Sequence, residues 1–361
     1  MKIAKIGELE IVMQNDLSKH NYFAWPTAKR LQNGRIAVTA SGFRRRHVCP
    51  FGKTVIAFSD DEGKKYTLPY PVIDTVLDDR DGGIATFGKS GVIVTSFNNT
   101  TAFQKNYPYS DAYDHAYLDT VSAEEETEAL GASFCISNDY GVTFGKRFKS
   151  PITSPHGPIE LQNGTILWVG TVYVSNGVHE ENTIKAYKIN LDGTMELVGQ
   201  IEDVCVDGEH VLSCEPHAIQ LEDGTIVVHI RAQKYGEQPN AIFTLFQTES
   251  HDNGKTWSKP KQLLSRAGGA PAHLFKLSTG ELISTFSYRK APCGIKVIIS
   301  TDDGKTWCES KDIFVSDGDF WDIGYPSTVE LNDGTLLTVF YIRPSGNKPA
   351  KIVQQRWKIE K

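Results

Sequence analysis

Four times along the chain the same eight-residue pattern returns: Ser-x-Asp-x-Gly-x-x-aromatic. It runs from Ser59 through Asp61 and Gly63 to Tyr66, and from Ser137 through Asp139 and Gly141 to Phe144. It returns from Ser250 through Asp252 and Gly254 to Trp257, and from Ser300 through Asp302 and Gly304 to Trp307. The pattern has the chemistry of a hairpin turn. The Asp carboxylate accepts from nearby backbone N–H groups, the glycine takes a positive φ, and the aromatic packs beneath. Apolar runs such as Ile295–Ile299 precede the later copies, as strands entering turns.

A second pattern is interleaved: an apolar residue, a polar pair, a glycine, then a β-branched or aliphatic run. It occurs at Leu31–Ile36, Leu161–Ile166, Leu221–Ile226, Leu277–Leu282 and Leu331–Leu336, with a looser copy at Gly91–Val94. Each reads as a hairpin between the first two strands of a repeating unit. Six hairpins, four of them followed by a clear box, predict an all-β, six-bladed β-propeller over residues 1–361 as one domain. Blade 3 has only a degenerate box at Asn190–Gly193 and blade 6 has none, so Leu9–Val12 and Ile352–Gln355 are expected to pair and close the ring. Residues 98–130 break the rhythm within blade 2. Their glutamate run reads as a solvated surface insertion with some helix, or as a lid or partner contact.

Abundant glycine and aromatics suit short strands and tight turns better than a helical bundle. A net charge of −6 gives no reason to expect a nucleic-acid partner, and no stretch is apolar enough to span a membrane. The six cysteines form no CxxC pair and read as buried free thiols. His47 and Cys49 lack a companion motif, so neither a metal nor another cofactor is expected. Without an apolar segment after Met1, the chain reads as cytoplasmic, or as secreted if a leader has been removed.

The boxes and hairpin spacing resemble those of the sialidase (neuraminidase) superfamily, of which the chain looks like a divergent member. The resemblance implies a Tyr nucleophile activated by a Glu, with arginines holding a substrate carboxylate. A neutral phenol approaches an anionic sugar with less repulsion than a carboxylate would, but needs a base to take its proton. Tyr325, which opens the sixth hairpin, resembles that nucleophile, and Glu215, in Cys214-Glu215-Pro216-His217, resembles the base. Arg231 resembles an arginine of the grip, and Arg289 is a second candidate. The opposing readings are a rim aromatic for Tyr325 and a structural ion pair for Glu215 with Arg231.

Two family features are missing. Family members begin blade 1 with Arg-Ile-Pro, but here the segment is Phe23-Ala24-Trp25-Pro26, with Ala24 in the arginine's place. The loop expected to hold the general-acid Asp reads Arg46-His47-Val48-Cys49-Pro50 and contains no Asp. Both departures argue against ordinary sialosides. Replacements are expected from Arg44 and Arg46 for the grip, and from His47, Asp79 or Asp81 for the acid. Arg80, Trp25 and the blade-start histidines His156, His217 and His273 complete the expected substrate-binding set. The leading function is an exo-acting glycoside hydrolase on an acidic sugar. The alternatives are a polysaccharide lyase acting on uronate-containing glycans and a glycan-binding propeller without turnover.

Overall fold

The computed structural model describes residues 1–175, 183–236, 241–316, 322–345 and 348–360. Six antiparallel sheets follow one another in chain order as the blades of a propeller. Blade 1 comprises Tyr22–Arg30, Ile36–Arg44, Lys53–Ser59 and Tyr70–Ile73. Blade 2 comprises Ile84–Phe87, Gly91–Ser96, Ala132–Ser137 and Phe148–Ser150. In blade 3 the innermost strand is split into Ile152–Thr153 and Ile159–Glu160, both paired with Ile166–Val172. Blade 4 starts with Leu212–Gln220, blade 5 with Ala272–Lys276 and blade 6 with Ile323–Glu330. The expected hairpins lie between first and second strands, closed by bonds such as Leu31 N–H to Arg35 and Gly34 N–H to Leu31.

The ring closes through the termini, as the sequence predicts. Lys2–Met13 is the outer strand of blade 6 and pairs with Lys351–Glu360, with Ile11 opposite Val353. This explains the missing sixth box: no turn joins the third and fourth strands of that blade.

Each box sits between the third and fourth strands of its blade, at the end remote from the starts of the innermost strands. Ser300 Oγ donates to Asp302 at 2.7 Å and accepts from Gly304 N–H at 2.9 Å, and Asp302 accepts from Thr306 N–H at 2.8 Å. The box glycines also touch the preceding blade. A Cβ at Gly63 would meet Leu337 of blade 6 at 2.8 Å, and one at Gly254 would meet Leu167 of blade 3 at 3.2 Å. The boxes are therefore seals between blades as well as turns. Ser300→Ala should cost about 1–3 kcal/mol, because it strands the buried Gly304 N–H. Urea unfolding should register that loss, with ligand affinity of the folded protein unchanged. A selective loss of binding at full stability would contradict it.

The core lies between blades. Val38 and Val55 of blade 1 cluster with Leu337 and Val339 of blade 6, and equivalent clusters fill the other interfaces. Central strands are covered on both faces, which is why Ile295–Ile299 is nearly continuously apolar. No disulfide joins any of the six cysteines; Cys49, Cys135, Cys214 and Cys293 are buried, whereas Cys205 is exposed and Cys308 partly so. The blade 2 insertion forms three short helices, Thr101–Lys105, Ala112–Leu118 and Ala123–Ala129. No helix among the described residues is long and apolar enough to cross a membrane.

Candidate active site

The innermost strands of blades 1, 4 and 6 each carry a bulge near their start. The register slips between Ala24 and Thr27, between Cys214 and His217, and between Gly324 and Ser327. The bulged residues are Trp25, Glu215 and Tyr325, each followed by a proline that has no N–H to leave unpaired where the ladder breaks. All three adopt left-handed backbone, with φ of 54°, 48° and 53°, and Asp81 at the entry to blade 2 joins them at 50°. Such a conformation costs a non-glycine residue about 1–3 kcal/mol and persists only where its surroundings impose it. Four blades impose it at equivalent places, and the four side chains gather at one end of the channel.

Tyr325 Oη donates to Glu215 Oε1 at 2.5 Å across two blades. Arg231 Nη1 donates to Glu215 Oε2 at 2.6 Å and to Tyr325 Oη at 3.3 Å, while its Nη2 reaches Gln233 at 2.5 Å. Arg231 and Arg289 both come from the mouth ends of second strands, and the Arg289 guanidinium lies 5.9 Å from the Tyr325 ring centre. Burial, with the charges of Glu215 and Asp81 behind it, pushes the Tyr325 phenol well above its ordinary range. The phenol is thus fully protonated at rest, with an acceptor for its proton already bonded. Cavities of about 200 and 270 Å³ open beside this triad, one lined by Asp81 and Glu215, the other by Arg231 and Arg289.

Asp81 lies within electrostatic reach of Glu215, Tyr325 and Arg80. Burial raises its carboxyl to about 7, opposed by the nearby Arg80 charge. Arg80 is itself 9% exposed, with its guanidinium 4.3 Å from the Trp25 ring centre and 3.9 Å from Asp78. Its Nε has no hydrogen-bond partner among the described residues.

Other expected site residues support the site from beneath or lie away from it. Arg44 is fully buried and bonded to Asp78, Ser41 and the His47 carbonyl, so it holds the loop and cannot grip a substrate. Arg46 is committed to Asp111 and Asp114 of the insertion. Asp79 turns into its own loop, where Thr75 N–H donates to it at 2.6 Å and Asn98 at 3.1 Å. Trp25 is 2% exposed beneath Arg44, Arg80, His47 and Tyr325, so it is a platform under the site and offers no free face to a sugar. His156, His217 and His273 sit below the mouth, their ring centres 4.4–5.2 Å apart. Burial keeps all three imidazoles neutral. Their Nδ1 atoms bond to other blades: His217 accepts from Leu274 N–H of blade 5 at 2.9 Å and His156 meets Thr27 Oγ1 of blade 1 at 3.1 Å. They pin blades together.

His47 reaches the mouth from the far side of Trp25. Its Nδ1 is 3.6 Å from Asp322, and its ring stacks on Tyr107 of the insertion. Burial lowers its pKa despite Asp322, so it is neutral near pH 7. The sequence reading missed Asp322, which also accepts from Tyr22 and Tyr341 at 3.1 Å. Its place three residues before Tyr325, at a blade start, was the available signal. It also missed Tyr107 and Gln233; Gln233 lies two residues beyond Arg231, on the same face of a strand.

No curated protein matches the chain in sequence. Among solved structures, a protein of unknown function from Dyadobacter fermentans is similar at 20% identity and a TM-score of 0.77, covering 99% of both chains. The NanB sialidase of Streptococcus pneumoniae is similar at 13% identity and a TM-score of 0.70, over 98% of this chain and 71% of that one. An α-L-arabinanase of Penicillium chrysogenum is similar at 13% identity and a TM-score of 0.60, over 99% and 98%. Residues 108–338 match the BNR repeat-like domain, well over half of the chain. With its boxes, its six blades and that match, the chain belongs to the BNR repeat-like family.

Proposed function

We propose that the protein is a glycoside hydrolase of the sialidase type, acting on a sugar that carries a carboxylate. The observation that carries this reading is the 2.5 Å hydrogen bond from Tyr325 to Glu215, bridged by Arg231. In the first step the Tyr325 oxygen attacks the anomeric carbon as its proton passes to Glu215 Oε1. Arg231, bonded to the Tyr325 oxygen and to Glu215 Oε2, follows the charge between the phenol and the carboxylate. Asp81, with its carboxyl near 7, donates a proton to the departing glycosidic oxygen. In the second step Asp81 takes a proton from water, the water oxygen bonds to the sugar, and Tyr325 leaves and recovers its proton from Glu215.

The carboxylate preference rests on Arg80 and Arg289. Arg231 is occupied by Glu215 and Gln233, whereas Arg80 makes no side-chain hydrogen bond among the described residues, and only the Nε of Arg289 does, to the Ile323 carbonyl. The fold alone does not choose between acidic and neutral sugars, since solved relatives include a sialidase and an arabinanase.

The test is hydrolysis of aryl glycosides of sialic acid, a hexuronic acid and arabinose. Cleavage confined to the acidic sugars is expected, with KM in Arg80→Met raised about ten- to hundredfold, the worth of one charged hydrogen bond. Preference for the arabinoside, or an unchanged KM in the variant, would remove the carboxylate grip. A product with an unsaturated ring absorbing in the ultraviolet would establish a lyase instead.

A further inference from the structure

The channel has a second opening, at the end opposite the candidate active site. There a well of about 180 Å³ lies among the ends of the innermost strands. Ile159, Ile219, Phe275 and Val329 give it apolar walls, and no Asp or Glu lines it. Lys29 enters from blade 1, on the same strand face as Thr27, which touches His156 near the axis. The two other cations at the rim are satisfied, Arg30 by Glu62 and Lys276 by Asp303. Lys29 has no hydrogen bond or ion pair among the described residues, and burial with no compensating charge lowers its pKa. An ammonium held in an apolar well without a counter-charge is an incomplete arrangement.

The roof supplies further donors. His217 Nδ1 accepts from Leu274 N–H at 2.9 Å and His273 Nδ1 accepts from Thr328 N–H at 3.4 Å. A neutral imidazole that accepts at Nδ1 carries its proton on Nε2. Both Nε2–H groups are therefore donors, and neither is paired among the described residues. The same tautomer denies a metal ion the lone pairs it would need. The nearby acceptor, His156 Nε2, is sealed from solvent and does not line the well.

We propose that this well is a binding site for a small tetrahedral oxyanion, such as phosphate or sulfate, with Lys29 as its counter-charge and His217 and His273 as neutral donors. The inference does not depend on the glycosidase reading, because none of these residues belongs to the Tyr325 site.

Calorimetric titration with inorganic phosphate, at ionic strength held constant with chloride, should show saturable binding to the full chain. Lys29→Met should weaken it about tenfold or more, and Lys29→Arg should largely restore it. Selenate diffused into wild-type crystals should give an anomalous peak between Lys29 and the two imidazoles. Absence of saturable binding, equal affinity in Lys29→Met, or a selenate peak only beside Arg80 and Arg289 would each overturn the proposal. Should Lys29→Met fail to fold, the selenate position in the wild type decides.

Discussion

Tyr325→Phe is expected to lower kcat/KM for an acidic aryl glycoside by about three orders of magnitude or more, while leaving the fold intact. The substitution removes one oxygen. The ring keeps its packing against Trp25 and Tyr341, and Glu215 keeps its bond to Arg231. Glu215 is 19% exposed at its side chain, so water can take the place of the lost phenol and thermal stability should barely change. Glu215→Gln should cost a comparable factor, because the phenol then lacks a base for its proton. In the proposed mechanism the two residues act in one step, so the double variant should be little worse than either single one. Acid-quenched wild-type enzyme should yield a glycosylated peptide containing Tyr325. Full activity in the Phe variant would exclude Tyr325 from the chemistry.

That pair was legible in the sequence because the fold repeats. Tyr325 and Glu215 are 110 residues apart, yet each occupies the same position before its hairpin glycine, and equivalent positions in a propeller meet on the axis. The same logic led to Arg231 and Arg289 at the ends of second strands. It failed where equivalence in sequence hides a difference in depth. His217 follows Glu215 by only two residues, but the bulge lifts Glu215 to the mouth and leaves His217 in the throat. Asp79 and Asp81 differ in the same way: Thr75 and Asn98 draw one carboxylate into its loop, whereas left-handed backbone places the other at the site. Arg44 and Arg46 are expected from the sequence to rebuild the carboxylate grip at the mouth. Their counter-ions, Asp78, Asp111 and Asp114, lie far along the chain, so their neutralisation could not be read from spacing. The insertion likewise gave no sign that Tyr107 would stack on His47.

The role of Asp81 has its own signature in leaving-group and pH dependence. A general acid must be protonated when the bond breaks. An ordinary aspartic acid, titrating near 4, would be almost wholly ionised at pH 7. Burial lifts Asp81 to about 7, so its carboxyl holds a proton far more readily there than an ordinary aspartic acid does. The sign follows directly: activity on a glycoside with an alkyl leaving group should fall as pH rises through about 7, as Asp81 loses that proton. His47 would give no such limb, since its burial lowers its pKa and leaves it neutral across that range. Asp81→Asn should abolish the alkaline limb and slow an alkyl glycoside by about 10²–10⁴-fold, the usual worth of general acid catalysis. An aryl glycoside departs as a stabilised phenolate and needs little protonation, so its cleavage should be slowed far less. The comparison also separates chemistry from folding, because a misfolded variant loses both substrates equally. If alkyl and aryl glycosides suffer alike in a folded Asp81→Asn, or if the limb near pH 7 survives, the proton comes from another group. His47→Gln, with the same pair of substrates, then tests the donor across Trp25.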